Sequence, residues 1–438
     1  MQRPFRFIAS AFAVFFLLPA FVVAEPAVPA GGDLRESYDL LTTTAYAKID
    51  PQKLLDGARA ELIDVARKQR VQLTLPPIHA ADGAANVAAL ADEIAKAQNV
   101  THAPATLLTY AVIDGMAHAT GDRYTAFFTP AELRQFNAAL DPEKISGVGV
   151  LIQPDEATKF IRAYYVVPGT PADQAGIQSG DLFTSVDGVS TQGFTPEQAS
   201  RALRGAAGTQ VHISVQRDAK PFTVSIVRSP VQPPTVIYKV LPQNIGYIYV
   251  LAFGRDTPQQ FTVALERLER TGARAYVLDL RNNGGGYVNS ALDISSKFVN
   301  SDPLLTIQGR GKQATTIDAT TAAIAAKPMT ILVNRYTASA SEITAGALQD
   351  DGVAVLVGEK TFGKGVMQTL TPLPDGAAIK ITTAHYLTPK NRDINLKGIE
   401  PDYAVTENKD ARFGEIDHDA QLQAALAILT KKLAVSGR

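Results

Sequence analysis

The chain has 438 residues, of which 46% are hydrophobic and 19% charged, with a formal net charge of −1. At about 150 residues per domain this length predicts roughly three domains, and the composition excludes wholesale disorder and a fibrous repeat. The balanced charge, without a basic run, argues against a nucleic-acid partner. Because there is no cysteine, disulfides, thiolate catalysis, iron–sulfur clusters and cysteine-ligated zinc are excluded.

The first residues predict an export signal. Arg3 and Arg6 form a short positive region, residues 7–23 are nearly all apolar, and residues 22–24 offer small side chains to a signal peptidase. An apolar stretch of about 17 residues lies at the short limit for spanning a bilayer, so an uncleaved anchor is the alternative. We expect a signal peptide over residues 1–24 and an exported protein, periplasmic or extracellular, without a stable membrane anchor after cleavage.

The remaining chain predicts three structural regions and an extension, after a linker over residues 25–32. Apolar residues at helical spacing predict a helical N-terminal domain over residues 33–140. Short alternating strands predict a β-rich module over residues 146–229. Strands that alternate with helices over residues 237–405 predict a layered α/β core, and residues 406–438 a C-terminal helical extension. Functional residues are expected on loops at the carboxyl ends of the core strands.

One segment of the core has the sequence pattern of a phosphate-binding loop. Residues 358–364 match the pattern G-x-x-x-x-G-K. Gly365 stands where a hydroxyl ligand for Mg²⁺ is needed, and residues 366–371 predict a strand instead of the required helix. Nucleotide binding is therefore disfavoured, and Lys364 needs another explanation.

Ser339 lies between an apolar strand and a predicted helix over residues 341–348. Ser339 with Glu342 fits the S-x-x-E capping box, and Ser341 offers a second cap. A serine at a strand-to-helix turn is also where a nucleophile is exposed beside helix N–H groups. These residues alone leave both interpretations open.

A glycine-rich loop follows another core strand at residues 279–286. It fails the G-x-G-x-x-G test for a dinucleotide site because its glycines are contiguous. Three glycines let backbone N–H groups approach a substrate carbonyl closely, as an oxyanion hole requires. An ordinary tight turn is the alternative.

A serine nucleophile requires a base, and none of the six histidines lies in a loop after a core strand beside a matching acid. A Ser/His/Asp triad stays open on this ground. Lysine is the other base, but at a reference pKa of about 10.4 only about one lysine in 2,500 is neutral at pH 7, so the site must be desolvated. The neighbours of Lys364 are all apolar or small: Phe362, Gly363, Gly365, Val366 and Met367. No metal-binding motif is present, and neither a metal nor a cofactor is expected.

Residues 279–286, 337–350 and 358–368 together resemble the carboxyl-terminal processing proteases, which are S41 serine peptidases. The resemblance extends over roughly residues 105–405. It implies a multidomain α/β protein with an N-terminal helical region, a PDZ-like β-rich module and a layered S41 peptidase core of the ClpP- and crotonase-like type.

The resemblance also implies roles for single residues. The first serine of the S-A-S-E run, Ser339, takes the place of the nucleophile. The lysine of the T-F-G-K-G run, Lys364, takes the place of the base, and Gln368 orients that lysine in many members. The implied oxyanion hole is formed by backbone N–H groups at Ala340 and at Gly284 or Gly285.

The β-rich module is similar to a PDZ domain. Residues 146–150 resemble its carboxylate-binding loop, and residues 171–177 and 180–188 its following helix and turn. A row of loop amides binds a terminal carboxylate while the peptide adds a strand to the module's edge. The alternative is a loop whose glycines only permit a tight turn. The predicted binding residues are Gly147, Val148, Gly149 and Val150.

Two features depart from the family pattern. Residues 65–104 look inserted, and residues 121–125 stand where a D-P-H-S-like turn is expected. These departures leave a homo-oligomer and an activating or adaptor protein as open questions. Asp350 fills the position of the Asp in the family's A-L-Q-D run, where we favour a structural role at a helix end over direct catalysis.

These inferences predict an exported serine endopeptidase that recognises protein C-termini through its PDZ domain and cleaves through an acyl-enzyme. Its partners are protein or peptide substrates with free C-termini. The alternative from another class is a non-catalytic periplasmic PDZ scaffold that binds protein C-termini. A hydratase-like enzyme ranks below both, because an acyl-CoA enzyme needs neither export nor a PDZ domain.

Overall fold

A computed structural model describes residues 31–300, 302–320, 323–324, 326–408 and 414–436. The predicted signal peptide and residues 25–30 of the predicted linker lie outside these residues, and the first helix begins at Gly31. The described chain forms two compact units, one over residues 143–233 and one that combines residues 31–142 with residues 234–436.

The larger unit begins with helices and one short strand: α1 (Gly31–Thr43), α2 (Pro51–Lys68), α3 (Gly83–Thr101), α4 (Ala105–Ala119), β1 (Ala126–Phe128) and α5 (Pro130–Leu140). Helix α2 begins after Asp50, whose side chain accepts a hydrogen bond from the Gln52 N–H at 3.0 Å. Helices α2 and α4 cross closely, because a Cβ on Gly57 would lie only 2.5 Å from Gly115 O. The apolar faces of α1 to α4 enclose a core that they share with Phe127 of β1 and with Leu373, Ile379 and Ile381 further along the chain.

The smaller unit is rich in short strands: β2 (Ile145–Gly147), β3 (Val150–Pro154), β4 (Ile161–Val166), α6 (Pro171–Gln174), β5 (Leu182–Val186), β6 (Val189–Ser190), α7 (Pro196–Leu203), β7 (Gln210–Arg217), β8 (Lys220–Val227) and β9 (Ser229–Val231). An antiparallel sheet has the order β3-β4-β5-β7-β8, with β6 paired to β5, while β2 pairs with β9. Strand β4 alternates buried and half-buried residues, as expected for a strand with one face on the core.

The rest of the larger unit alternates strands and helices: β10 (Val236–Leu241), β11 (Ile245–Val250), α8 (Thr257–Arg270), β12 (Ala275–Asp279), α9 (Val288–Ser295), β13 (Pro303–Gly309), β14 (Thr315–Asp318), β15 (Met329–Val333), α10 (Ala340–Asp350), β16 (Ala354–Gly358), β17 (Val366–Pro372), β18 (Ala378–Leu387), β19 (Tyr403–Ala404) and α11 (Ala420–Ser436). Its main sheet has the order β10-β11-β12-β15-β16-β19, in which all neighbours except β10 and β11 are parallel.

The central strands explain where functional loops lie. All residues of β12 and β15 are buried, as expected for parallel strands covered on both faces. The loops after β12, β15 and β16 therefore leave the same edge of the sheet, which is the site arrangement predicted for such a core. The prediction of a multidomain α/β protein is confirmed.

A second sheet borders the core. It has the order β1-β18-β13-β14, with β17 also paired to β18. Strand β1, from the helical segment, pairs antiparallel with β18, so that Ala126 lies opposite Lys380. The helical segment and the layered α/β core thus share a sheet within one compact unit.

Helix α11 covers the main sheet. It lies within the predicted C-terminal helical extension, and Leu422, Ala425 and Leu429 pack with Leu332 and Val357 in one apolar cluster. None of the helices in the described part of the chain combines the length and apolar character needed to cross a bilayer.

Candidate active site

Ser339 lies on a tight turn between strand β15 and helix α10. Its φ is 57° and its ψ is −119°, a backbone conformation that residues other than glycine rarely adopt. The Ser339 N–H donates to Glu342 Oε2 at 2.9 Å, which is one arm of the predicted capping box. A strained strand-to-helix turn presents a serine hydroxyl at a helix N-terminus, where it can act as a nucleophile.

The glycine loop, residues 280–286, closes directly against this turn. A Cβ on Gly285 would lie 2.8 Å from both Ala338 O and Ser339 Cβ, and the Gly285 φ is 101°. Asn283 fixes the loop, because its carbonyl oxygen accepts a hydrogen bond from the Ala338 N–H at 3.0 Å. Only glycine therefore fits at residue 285 without displacing the serine turn.

Two backbone N–H groups beside Ser339 are available to a ligand. Among the residues that the structure describes, neither the Gly284 nor the Ala340 N–H donates a backbone hydrogen bond. The Gly285 N–H, by contrast, already donates to Asn283 Oδ1 at 2.9 Å. Ala340 opens helix α10, where the first N–H groups lack intrahelical partners and the helix dipole favours negative charge. The arrangement can stabilise a developing oxyanion.

Lys364 lies on the loop between β16 and β17. Its Nζ is 5.0 Å from the centroid of the Tyr124 ring. Burial, together with the charge of Lys380, lowers the pKa of Lys364 to about 8, against the opposing carboxylates of Asp122 and Glu342. At that pKa about one molecule in ten carries a neutral lysine at pH 7, so Lys364 can act as a base.

The buried Glu342 carboxylate joins the serine turn to the lysine loop. Its Oε2 accepts hydrogen bonds from the Ser339 N–H at 2.9 Å and the Lys364 N–H at 2.8 Å. Its Oε1 accepts from the Gly363 N–H at 2.8 Å and from Thr361 Oγ1 at 2.5 Å. Burial raises the pKa of Glu342, and these four hydrogen bonds oppose that rise. A residue predicted from sequence only as a helix cap therefore positions both loops.

The direct contacts for proton transfer are not made in this arrangement. No hydrogen bond joins Ser339 Oγ to Lys364 Nζ, or Gln368 to Lys364, within the described part of the chain. The Gln368 amide instead donates to Val366 O at 3.3 Å and Thr382 Oγ1 at 3.5 Å. Catalytic hydrogen bonds are often long without substrate and tighten when it binds.

A buried ion cluster supports the glycine loop from behind. The fully buried Arg281 forms ion pairs with Asp279 at 2.6 Å and with Asp419 at 2.7 Å. It also donates to Gln421 Oε1 at 3.1 Å. Asp419 and Gln421 lie at the start of helix α11 in the C-terminal extension, which thus anchors the strand end that carries the loop. Sequence reasoning missed this contribution, because the partners are separated by more than a hundred residues.

Residues 244–405 match the model of peptidase family S41, and residues 162–217 match that of the PDZ domain. A carboxyl-terminal-processing protease from Picosynechococcus sp. is 35% identical over 334 residues, covering 75% of this chain and 80% of the relative. Another, from Synechocystis sp., is 36% identical over 337 residues, covering 75% of this chain and 78% of the relative. This chain belongs to peptidase family S41.

The family assignment confirms the resemblance predicted from the three motifs, and the S41 match contains the serine turn, the glycine loop and the lysine loop. A solved structure of a photosystem II D1 C-terminal processing protease aligns with 87% of this S41 peptidase and 94% of its own chain, at 26% identity and a TM-score of 0.46. The PDZ domain predicted for the smaller unit is likewise confirmed.

The helical segment of this S41 peptidase reaches the lysine through the turn at residues 121–125. On this turn the Arg123 guanidinium lies over two rings. It is 4.7 Å from the Tyr124 ring centroid and 5.3 Å from the Phe362 ring centroid. Asp122 accepts a hydrogen bond from the Tyr124 N–H at 3.1 Å. The turn that departs from the family pattern therefore builds one wall around Lys364, a role that no sequence signal indicated.

The predicted carboxylate loop of the PDZ unit joins β2 to β3. Gly147 ends β2, Val148 is buried, Gly149 has a φ of 87°, and Val150 begins β3. Within the described residues, the Val148 and Gly149 N–H groups have no backbone or side-chain acceptor. A row of such amides beside an edge strand is the arrangement that binds a terminal carboxylate.

Asp350 lies at the end of helix α10, away from the serine turn. It pairs with Arg392, and its Oδ2 accepts a hydrogen bond from the Lys390 N–H at 2.9 Å. These contacts attach the loop after β18 to the helix end. They fit the structural role predicted for this residue.

Proposed function

We propose that this S41 peptidase is an exported serine endopeptidase that uses Ser339 as nucleophile and Lys364 as general base. One observation carries the proposal: the strained serine turn and the lysine loop share the buried carboxylate of Glu342. The lowered pKa of Lys364 supports it, because a lysine base must be neutral to accept a proton.

In the proposed reaction, neutral Lys364 accepts the Ser339 Oγ proton as the hydroxyl attacks the scissile carbonyl carbon. The Ala340 and Gly284 N–H groups donate to the oxyanion of the tetrahedral intermediate. Lys364 then gives its proton to the leaving amine, and an ester between Ser339 and the substrate's acyl group remains. In the second half Lys364 deprotonates the water that hydrolyses this ester. Gln368 orients the lysine once that contact forms.

Recognition of free C-termini is assigned to the PDZ domain. Strand β3 is an edge strand of its sheet, so an extended peptide can pair with it while the loop amides at residues 147–150 bind the carboxylate. This selects polypeptides that end in a free carboxyl group. Supporting the same proposal, the relatives from Picosynechococcus sp. and Synechocystis sp. bear the name carboxyl-terminal-processing protease.

The proposal of export is based on the apolar segment over residues 7–23 and on the small side chains at residues 22–24, where a signal peptidase can cleave. The proposed limits are a signal peptide over residues 1–24, a PDZ domain over residues 146–229 and a peptidase core over residues 237–405. An activating protein or a homo-oligomer would act by bringing Ser339 and Lys364 into direct contact.

A second candidate is a non-catalytic scaffold that holds protein C-termini. The observation in its favour is that no hydrogen bond joins Ser339 Oγ to Lys364 Nζ in the described structure. A scaffold needs only the carboxylate loop and the edge strand of the PDZ domain, and its binding of C-termini does not depend on Ser339.

The experiment compares residues 25–438 with the Ser339→Ala variant on an unfolded polypeptide that ends in either a free carboxylate or an amide. Fragments are identified by mass spectrometry, and circular dichroism checks that both proteins are folded. Cleavage of the free-ended substrate alone, lost in Ser339→Ala, is the expected result. Equal cleavage of both substrates would contradict C-terminal recognition. Binding of the free end without any cleavage would favour the scaffold.

A further inference from the structure

Tyr386 contributes a hydroxyl that lies between the two proposed catalytic segments. It stands near the end of β18, and its side chain is only 2% exposed within the main apolar core. The hydroxyl forms a short hydrogen bond with Lys364 O, and it lies 3.2 Å from Ser339 O. No other described side chain bonds to the carbonyl groups of both residues.

The chemistry of these partners fixes the direction of the bonds. Carbonyl oxygens only accept hydrogen bonds, so the phenol must donate and must stay protonated. Burial raises the pKa of Tyr386 well above its usual range, and the carboxylate of Glu342 adds to that rise. Ser339 O also accepts the Ile343 N–H within helix α10, whereas Lys364 O receives the closer contact of the hydroxyl. The single proton is therefore directed mainly to the lysine loop.

Glu342 and Tyr386 act on opposite sides of the same two residues. The Glu342 carboxylate accepts the N–H groups of Ser339 and Lys364, and the Tyr386 hydroxyl lies against their carbonyl groups. The Tyr386 N–H additionally donates to Gly365 O at 3.1 Å. Each proposed catalytic residue is thus held on both sides. Its N–H donates to the buried Glu342 carboxylate, and its carbonyl group lies against the buried Tyr386 hydroxyl.

We propose that Tyr386 is a positioning residue whose hydroxyl sets the separation between the Ser339 and Lys364 backbones for proton transfer. The inference rests on the proposed function, in which these two residues exchange the proton. Without the hydroxyl, the Lys364 carbonyl loses its donor in a buried site, so the lysine loop can shift relative to the serine turn. A misplacement on the order of 1 Å can reduce a rate about 100-fold, even when no reacting group is removed.

The test is Tyr386→Phe, with Tyr276→Phe as the matched control. Tyr276 is 1% exposed, and its hydroxyl also donates a hydrogen bond, partly buried, to the Glu269 carboxylate, but it lies at the opposite end of β12 from the glycine loop. Both changes keep the ring and remove one hydroxyl. We expect kcat of Tyr386→Phe to fall about 10- to 100-fold with KM changed less than about twofold, while Tyr276→Phe keeps both constants. Tyr386→Met, which also lacks the donor, should show the same loss.

If the Tyr386 hydroxyl had only a structural role, its removal would lower stability without lowering kcat. If Tyr386→Phe lowers stability as Tyr276→Phe does, but its kcat stays within about twofold of that control, the positioning role is wrong. Urea unfolding of each variant, followed by circular dichroism, provides the stability comparison. A loss of activity that only tracks the unfolded fraction would equally overturn the inference.

A double-mutant cycle tests whether Tyr386 acts through the lysine. The readout is the labelling rate of Ser339 by a fluorophosphonate, which is measurable even in slow variants. In a Lys364→Met background the effect of Tyr386→Phe should shrink to about twofold, and an undiminished tenfold effect would contradict the proposal. The Ser339→Ala variant separates the two claims: if it cleaves like the unchanged protein, the proposed function fails. If it is inactive while Tyr386→Phe is fully active, only this inference fails.

Discussion

Replacing Lys364 with Met should stabilise the protein while removing its activity. Lowering the pKa of this lysine from its ordinary value of 10.5 to about 8 means that the folded state disfavours the ammonium form. At about 1.4 kcal/mol for each tenfold change in the proton equilibrium, the unscreened cost of the buried ammonium is about 3 to 4 kcal/mol. Because the side chain is only half-buried, solvent screening reduces this value, and we expect a gain of about 1 to 3 kcal/mol for Lys364→Met at pH 7.

The pH dependence of this gain follows from the direction of the shift. Between about pH 8 and pH 10.5 the unfolded chain keeps the Lys364 proton while the folded protein has released it, so stability rises with pH across this window. Below pH 8 both states are protonated and the full cost of the buried charge is present. The advantage of Lys364→Met should therefore be largest at pH 7 and nearly absent at pH 10.5.

The assay is urea unfolding at pH 7 and pH 10, followed by far-ultraviolet circular dichroism, because the chain contains no tryptophan. Lys53→Met, at an exposed position of α2, is the control and should change stability by less than about 0.5 kcal/mol at either pH. A Lys364→Met variant that is less stable at pH 7, or equally stabilised at both pH values, would refute the reasoning.

Two further substitutions test the scaffold of the site. Gly285→Ala should reduce kcat/KM at least about 100-fold, because its Cβ would lie 2.8 Å from Ser339 Cβ; Gly272→Ala, also at positive φ but in open space, should leave kcat/KM unchanged. Asp419→Asn should destabilise the protein by about 3 kcal/mol in urea unfolding, since it breaks a buried pair with Arg281. The exposed Asp417→Asn serves as its control, and equal stability of the two variants would contradict the assigned role.

Elements with a strong local pattern could be predicted from the sequence. The predicted helix over residues 341–348 lies within α10, and the predicted strand over residues 366–371 is one residue shorter than β17. Apolar periodicity and a flanking proline or glycine are enough for such elements. Strand β1 could not be predicted, because three residues carry no period and its partner β18 lies about 250 residues further along the chain.

The same division holds for the candidate site. Ser339, Lys364 and the glycine loop are apparent from local motifs, because their chemistry depends on short-range spacing. Glu342 is visible only as a helix cap, since its bonds to the lysine loop arise from tertiary packing. Tyr124 and Tyr386 have no signal at all: each reaches the lysine through the fold of a distant segment.

The most direct test of the central claim is the pH dependence of Ser339 labelling by a fluorophosphonate, with the modified residue identified by peptide mass. We predict a single adduct on Ser339, formed at a rate that rises about tenfold from pH 7 to pH 9 around a midpoint near pH 8, as the pKa of Lys364 requires. The pH dependence should disappear in Lys364→Met. An adduct on another residue, or a rate that is highest in acid, would contradict the serine–lysine account.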